Sequence, residues 1–257
     1  MLEIVPVPAF SDNYIWLLYD SDTREAAVVD PGDANPVVDA LEEHGLALRY
    51  VIITHHHFDH VGGLQALCEA YNPVVFGPHN PGIGGITQRV GAGDRVEALG
   101  LQFEVLEVPG HTLDHIAYFH DGDDPLVFCG DTLFAGGCGR LFEGDPPMML
   151  KSLQSLAALP AATRVYCAHE YTLANLAFAS AVEPHNSALQ ERVARAEQTR
   201  ARDEPTVPSV IALELATNPF MRCTQGELVE SLREQGRLEG ESPAEVFATV
   251  RGWKDNF

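Results

Sequence analysis

The run Thr54-His55-His56-His57-Phe58-Asp59-His60 concentrates metal-ligating side chains in a way that invites a chemical reading. It follows an apolar strand, Val51-Ile52-Ile53, and leads toward a helix opened by Gly62-Gly63. Side chains two apart in extended backbone point the same way. His55 and His57 can therefore face one metal ion while Asp59 and His60 turn toward a second. Neutral imidazole and carboxylate are suitable ligands for Zn, Mn or Fe. A histidine-rich surface loop would not show this order at a strand end.

More donors stand at the ends of later strands. His111 follows an apolar run and sits in Pro109-Gly110-His111-Thr112. Asp131 sits in Cys129-Gly130-Asp131-Thr132, and His169 in Cys167-Ala168-His169-Glu170. Each alone reads as a satisfied polar residue at a strand terminus. Together they place His, Asp and His at successive strand ends, where loops converge to form sites in layered folds.

The elements that must position these donors are legible in outline. Short β-rich segments bounded by Gly, Pro or Asp predict strands over 3–8, 14–19, 26–30, 50–54 and 74–76. Further strands are predicted over 95–98, 102–108, 115–120, 126–129 and 164–168, with a hairpin turning at Leu99-Gly100. Apolar spacing of three and four predicts helices over 36–44, 64–71 and 147–159. Beyond residue 170 helices dominate, over 171–181, 187–203, 226–235 and 243–253. The last opens on a capping box, Ser242 with Glu245. Strands first and helices last predict a layered α/β sandwich over 1–170 and a helical domain over 171–257.

Composition narrows the function. A formal net charge of -21 opposes general binding to nucleic acid, whose phosphates need clustered Lys and Arg. Lys151 and Lys254 are the only lysines, so an anionic substrate would need a local basic site within an acidic field. No long apolar run predicts a membrane span, and the first residues lack the pattern of a secretory signal. The five cysteines, Cys68, Cys129, Cys138, Cys167 and Cys223, are scattered, which fits reduced thiols in a cytoplasm.

HxHxDH, then Gly110-His111-Thr112, then Gly130-Asp131-Thr132, then a late strand-terminal His169 resembles the metallo-β-lactamase superfamily. That resemblance implies an αββα sandwich with two divalent metal ions, zinc first and iron or manganese as alternatives. His55, His57 and His111 would hold one ion, Asp59, His60 and His169 the other. Asp131 would bridge both, and His56 would not be a ligand. A narrower resemblance, to the glyoxalase II family, covers nearly the whole chain. It rests on Asp12-Asn13-Tyr14, Gly137-Cys138-Gly139-Arg140, His169-Glu170-Tyr171-Thr172, Asn218-Pro219-Phe220-Met221-Arg222, and Arg251 with Lys254.

The glyoxalase II resemblance implies hydrolysis of S-D-lactoylglutathione to D-lactate and glutathione, with hydroxide shared by the two ions as nucleophile. Asp59 and Asp131 act there as ligands that tune that hydroxide, not as proton shuttles. Arg140, Tyr171, Arg251 and Lys254 would grip glutathione, whose carboxylates suit Arg forks and a Lys point charge. Phe142 stands where some members carry Tyr, Arg140 where some carry Lys, and Asp114 where Gly is common. Cys138 reads as a small buried residue in a tight turn. Two rivals share the fold: a one-iron glutathione persulfide dioxygenase, and an inert descendant that binds metal without turnover. The complete donor set and the long helical C-terminal region favour the hydrolase, expected as a cytoplasmic monomer with no nucleic-acid or membrane partner.

Overall fold

The computed structural model describes residues 1–257. The backbone packs as two compact units, residues 1–107 with 114–130, and residues 108–113 with 131–257.

In the first unit, strand Leu2–Ala9 (β1) pairs antiparallel with Asn13–Asp20 (β2), which pairs antiparallel with Glu25–Val29 (β3). From β3 onward the neighbours run parallel: Ala47–Ile52 (β4), Val74–Pro78 (β5) and Gln88–Val90 (β6). Parallel pairing needs a crossover. Helix Ala34–His44 (α1) supplies it between β3 and β4. The single turn Phe58–Val61 (α2) and helix Leu64–Tyr71 (α3) supply it between β4 and β5. Ile15 and Leu17 of β2 join a core with Val37 and Leu41 of α1 and Leu64 and Leu67 of α3. Trp16 and Leu18, on the opposite face of the strand, are buried as well. With both faces covered, β2 reads as a continuous apolar run.

Arg95–Ala98 (β7), Leu101–Glu107 (β8), Ile116–His120 (β9) and Leu126–Gly130 (β10) follow as antiparallel neighbours. The β7–β8 hairpin turns at Leu99-Gly100, as the sequence predicts. Both residues have positive φ, 53° and 76°, the two-residue geometry that matches the twist of paired strands. The Tyr118 hydroxyl donates to the Ile53 carbonyl at 2.9 Å and Ile116 N–H donates to the Thr54 carbonyl at 3.0 Å. Strand β9 therefore pins the backbone that enters the histidine run.

The second unit contains a small hairpin, Leu133–Phe134 (β11) with Gly137–Cys138 (β12), then helix Pro146–Ala157 (α4). Arg164–Cys167 (β13) pairs antiparallel with Ser209–Val210 (β14). The remainder is helical: Thr172–Val182 (α5), Ser187–Arg200 (α6), Ile211–Thr217 (α7), a 3-10 turn at Pro219–Met221, Gly226–Glu234 (α8) and Pro243–Lys254 (α9). The capping box at Ser242 and Glu245 forms as expected.

A buried polar network braces the hairpin. Arg192 donates to the Thr217 hydroxyl at 2.7 Å and pairs with Glu214, which is 0% exposed. The other Glu214 oxygen accepts from Gly136 N–H at 2.9 Å and from the Asn218 amide at 3.0 Å. Asn218 also donates to the Gly137 carbonyl at 2.9 Å. A buried carboxylate needs such partners, and here they tie α6 and α7 to the β11–β12 turn.

Every predicted strand and helix window overlaps an observed element. The sequence reading passes over β6, β11, β12, β14, α2 and α7. These elements are two to seven residues long, too short for a periodic signal.

Candidate metal centre

After β4 the chain leaves the sheet through Ile53 and Thr54, whose backbone bonds to Phe76, Asp30 and Ile116, and turns at His57 into α2. His55 and His60 are fully buried with ring centroids 4.1 Å apart, and the His57 ring lies 4.8 Å from His55. Asp59 Oδ2 is 3.5 Å from His60 Nε2. One carboxylate organises these rings. Asp30, buried just past the end of β3, accepts from Thr54 N–H at 2.8 Å and from the Thr54 hydroxyl at 2.7 Å. Its Oδ2 also lies 3.0 Å from His60 Nδ1. The Thr54 hydroxyl, having donated to Asp30, is left to accept from His55 Nδ1 at 3.1 Å. Engaging Nδ1 fixes the His55 ring and leaves its Nε2 as the ligand atom, while the Asp30 carboxylate lies against the His60 ring.

Asn13 holds the neighbouring donor, its amide donating to Asp59 Oδ2 at 3.0 Å. His115 stacks on His55 at 4.5 Å between centroids. His56 faces elsewhere: its Nδ1 is 2.8 Å from Asp114, which also accepts from the Asn80 amide at 2.7 Å.

In the second unit, Asp131 lies between two imidazoles. Its Oδ2 is 3.4 Å from His111 Nε2, and its Oδ1 is 3.4 Å from His169 Nε2. That is long for a hydrogen bond. It is close to the spacing, about 3.4 Å, of two atoms each about 2.1 Å from one tetrahedral ion. His111 is set by backbone: its Nδ1 donates to the Arg140 carbonyl at 2.8 Å, and its own carbonyl accepts from Phe142 N–H at 3.2 Å. His169 stacks flat on Tyr171, with centroids 4.7 Å apart and planes 6° from parallel. Gly139 makes the close approach possible. A Cβ there would lie 1.9 Å from the Asp131 carbonyl oxygen and 3.1 Å from His111 Nδ1.

In the first unit His55, His57, Asp59 and His60 offer metal-donor atoms; in the second His111, Asp131 and His169 do. Imidazoles fixed through Nδ1, spaced as co-ligands beside carboxylates, fit a divalent metal cofactor.

The residues expected to grip substrate also lie in the second unit. Arg140 extends its side chain into solvent, 63% exposed, while its carbonyl orients His111. Phe142, 61% exposed, stands edge-on to His111 with centroids 5.2 Å apart. Arg251 is only 6% exposed and donates to the Cys138 carbonyl at 3.3 Å. Lys254 donates to the Ala174 carbonyl at 3.3 Å, and burial, then the Arg251 charge, lower its pKa. Cys138 is buried, and burial pushes its thiol up to about 11, which is no activated nucleophile.

Three supports escaped the sequence reading. Asp30 ends an apolar strand as the metal donors do, a signal available but unused. Asn13 and Asn218 belong to recognised motifs, but only coordinates give them the tasks of holding Asp59 and the β11–β12 turn.

Comparison with known proteins agrees with this geometry. Residues 10–169 match the metallo-beta-lactamase superfamily, and residues 170–257 match the hydroxyacylglutathione hydrolase C-terminus. A hydroxyacylglutathione hydrolase of Pseudomonas aeruginosa is 55% identical, with 100% of each chain covered. Among solved structures, ETHE1 from Myxococcus xanthus aligns with a TM-score of 0.66 and 27% identity, over 99% of this chain and 98% of that one. TTHA1623 in a di-iron-bound form aligns at 0.61 and 25%, over 84% and 99%. Fold and donors thus define a metallo-β-lactamase-type metallohydrolase, an α/β sandwich with a helical C-terminal region. Within that superfamily the chain belongs to the hydroxyacylglutathione hydrolase, or glyoxalase II, family.

Proposed function

We propose that this protein hydrolyses S-D-lactoylglutathione to D-lactate and glutathione, a step of methylglyoxal detoxification, at a pair of divalent metal ions. The observation that carries the reading is Asp131, whose two carboxylate oxygens each lie 3.4 Å from a different imidazole nitrogen. Full-length identity of 55% to a hydroxyacylglutathione hydrolase supports the substrate. His55, His57 and His111 would hold one ion, Asp59, His60 and His169 the other, and Asp131 both. Zinc is our first choice, with iron or manganese also suited to these donors.

When bound, such ions lower the pKa of water toward neutrality and polarise a carbonyl. The chain's own groups do the rest. Asp59, held by Asn13, stays a ligand whose charge tunes the site. Arg140, Arg251 and Lys254 attract the carboxylates of glutathione, and Tyr171 borders the same region beside His169. Phe142 offers an apolar edge with no hydroxyl. A thiolate leaves readily, so no side chain is required as general acid.

We assign residues 1–170 to a catalytic domain that also lends Arg140 and Phe142 to the substrate, and 171–257 to a helical substrate-binding domain. We place the enzyme in the cytoplasm as a monomer, a setting that five free cysteines suit. No helix is long and apolar enough to cross a membrane. The test pairs elemental analysis with release of thiol and D-lactate from S-D-lactoylglutathione. Two metal equivalents with rapid turnover are expected. Fully metallated protein that leaves the thioester intact would overturn the reading.

A further inference from the structure

One acidic side chain stands among the cations of the substrate grip. Asp255 Oδ1 accepts from an Arg251 terminal nitrogen at 2.7 Å, and the same oxygen lies 3.8 Å from Arg140 Nε. One carboxylate oxygen is thus hydrogen-bonded to Arg251 and lies within ion-pair range of Arg140. Arg251 is otherwise fixed by the Cys138 carbonyl and by the Phe220 ring, whose centroid is 5.0 Å from its guanidinium carbon. Its Nε is buried and has no hydrogen-bond partner within the chain.

Local helix energetics do not call for an acid at this position. Asp255 caps the C-terminus of α9, where a negative charge meets the negative end of the helix dipole. Its neighbours give the reason. Arg251 is too buried to carry its charge uncompensated, and the carboxylate that compensates it is also within reach of the exposed Arg140 cation. Lys254 is anchored separately, on the Ala174 carbonyl.

We infer that Asp255 is a positioning residue of the substrate grip, holding Arg251 and Arg140 together so that they can receive a carboxylate of the glutathione moiety. The inference rests on the thioesterase reading above. Asp255 touches no reacting atom. It sets the spacing of the two cations, and the Cys138 and Arg140 backbone joins that spacing to the carbonyl that orients His111.

The test is Asp255→Asn in the full-length, metal-loaded enzyme. KM for S-D-lactoylglutathione should rise about tenfold, the loss of one charge-assisted hydrogen bond. The inhibition constant of glutathione should rise in parallel, while kcat and metal content stay within about twofold. A small thioester without carboxylates, S-lactoyl-N-acetylcysteamine, should be hydrolysed as by the parent enzyme. Asp255→Glu, which keeps the charge, should recover part of the lost affinity. Should the Asn variant not fold, Asp255→Ser is read the same way. An unchanged or lowered KM, or an equal loss on the carboxylate-free thioester, would overturn the positioning role. A parent enzyme that ignores S-D-lactoylglutathione would instead sink the function proposed above, so the two failures are distinguishable.

Discussion

In the first unit the donors come from one short stretch, residues 55–60, and a single buried carboxylate orients two of them. In the second unit the donors His111, Asp131 and His169 come from three separate loops, and backbone does the setting: the Arg140 carbonyl for His111, and the approach that Gly139 permits beside Asp131. The same kind of imidazole is thus fixed by a side chain in one place and by main chain in the other. Side-chain supports can be removed by point mutation. Main-chain supports survive the loss of the side chain they belong to.

The sharpest break would come at the residue that faces two imidazoles. Asp131→Ala should reduce thioester turnover on the order of a thousandfold and lower the metal content found by elemental analysis. Retained activity would remove the bridging assignment. Asp30→Asn tests the side-chain mode. The amide would present a donor where the Thr54 N–H or hydroxyl already points one, and metal affinity should fall roughly 10–100-fold in chelator competition. Unaltered affinity would show that His55 and His60 hold their orientation without it. Arg140→Ala tests the main-chain mode with the smallest effect. The carbonyl that orients His111 remains, so metal content should not move while KM rises severalfold, roughly the worth of one exposed charged contact. Loss of metal in that variant would erase the distinction between the two modes.

This contrast explains what could be read in advance. The run from His55 to His60 was legible because its donors are adjacent and follow an apolar strand. His111, Asp131 and His169 gained meaning only as a set, through resemblance. The β2–β5 strands were legible because the apolar runs of a covered sheet are unmistakable, and α9 because Ser242 and Glu245 announce it. Asp30 carries the same strand-end signal as the donors, but its task is set by Thr54 and His60, twenty-four and thirty residues away. Asp255 was hidden for a similar reason: its partner Arg140 is distant in sequence. The short strands β11 and β12 hold no periodicity, yet they carry the turn that Asn218 and Glu214 brace.

That brace bears on how small the enzyme could become. A chain ending after His169 would retain every proposed ligand in its sequence. It would lose the Asn218 and Glu214 bonds to residues 136 and 137, a few positions from Asp131 and Gly139. Minimising this protein by trimming its helices would therefore loosen the loop that carries a proposed ligand, and metal retention should fail along with substrate recognition.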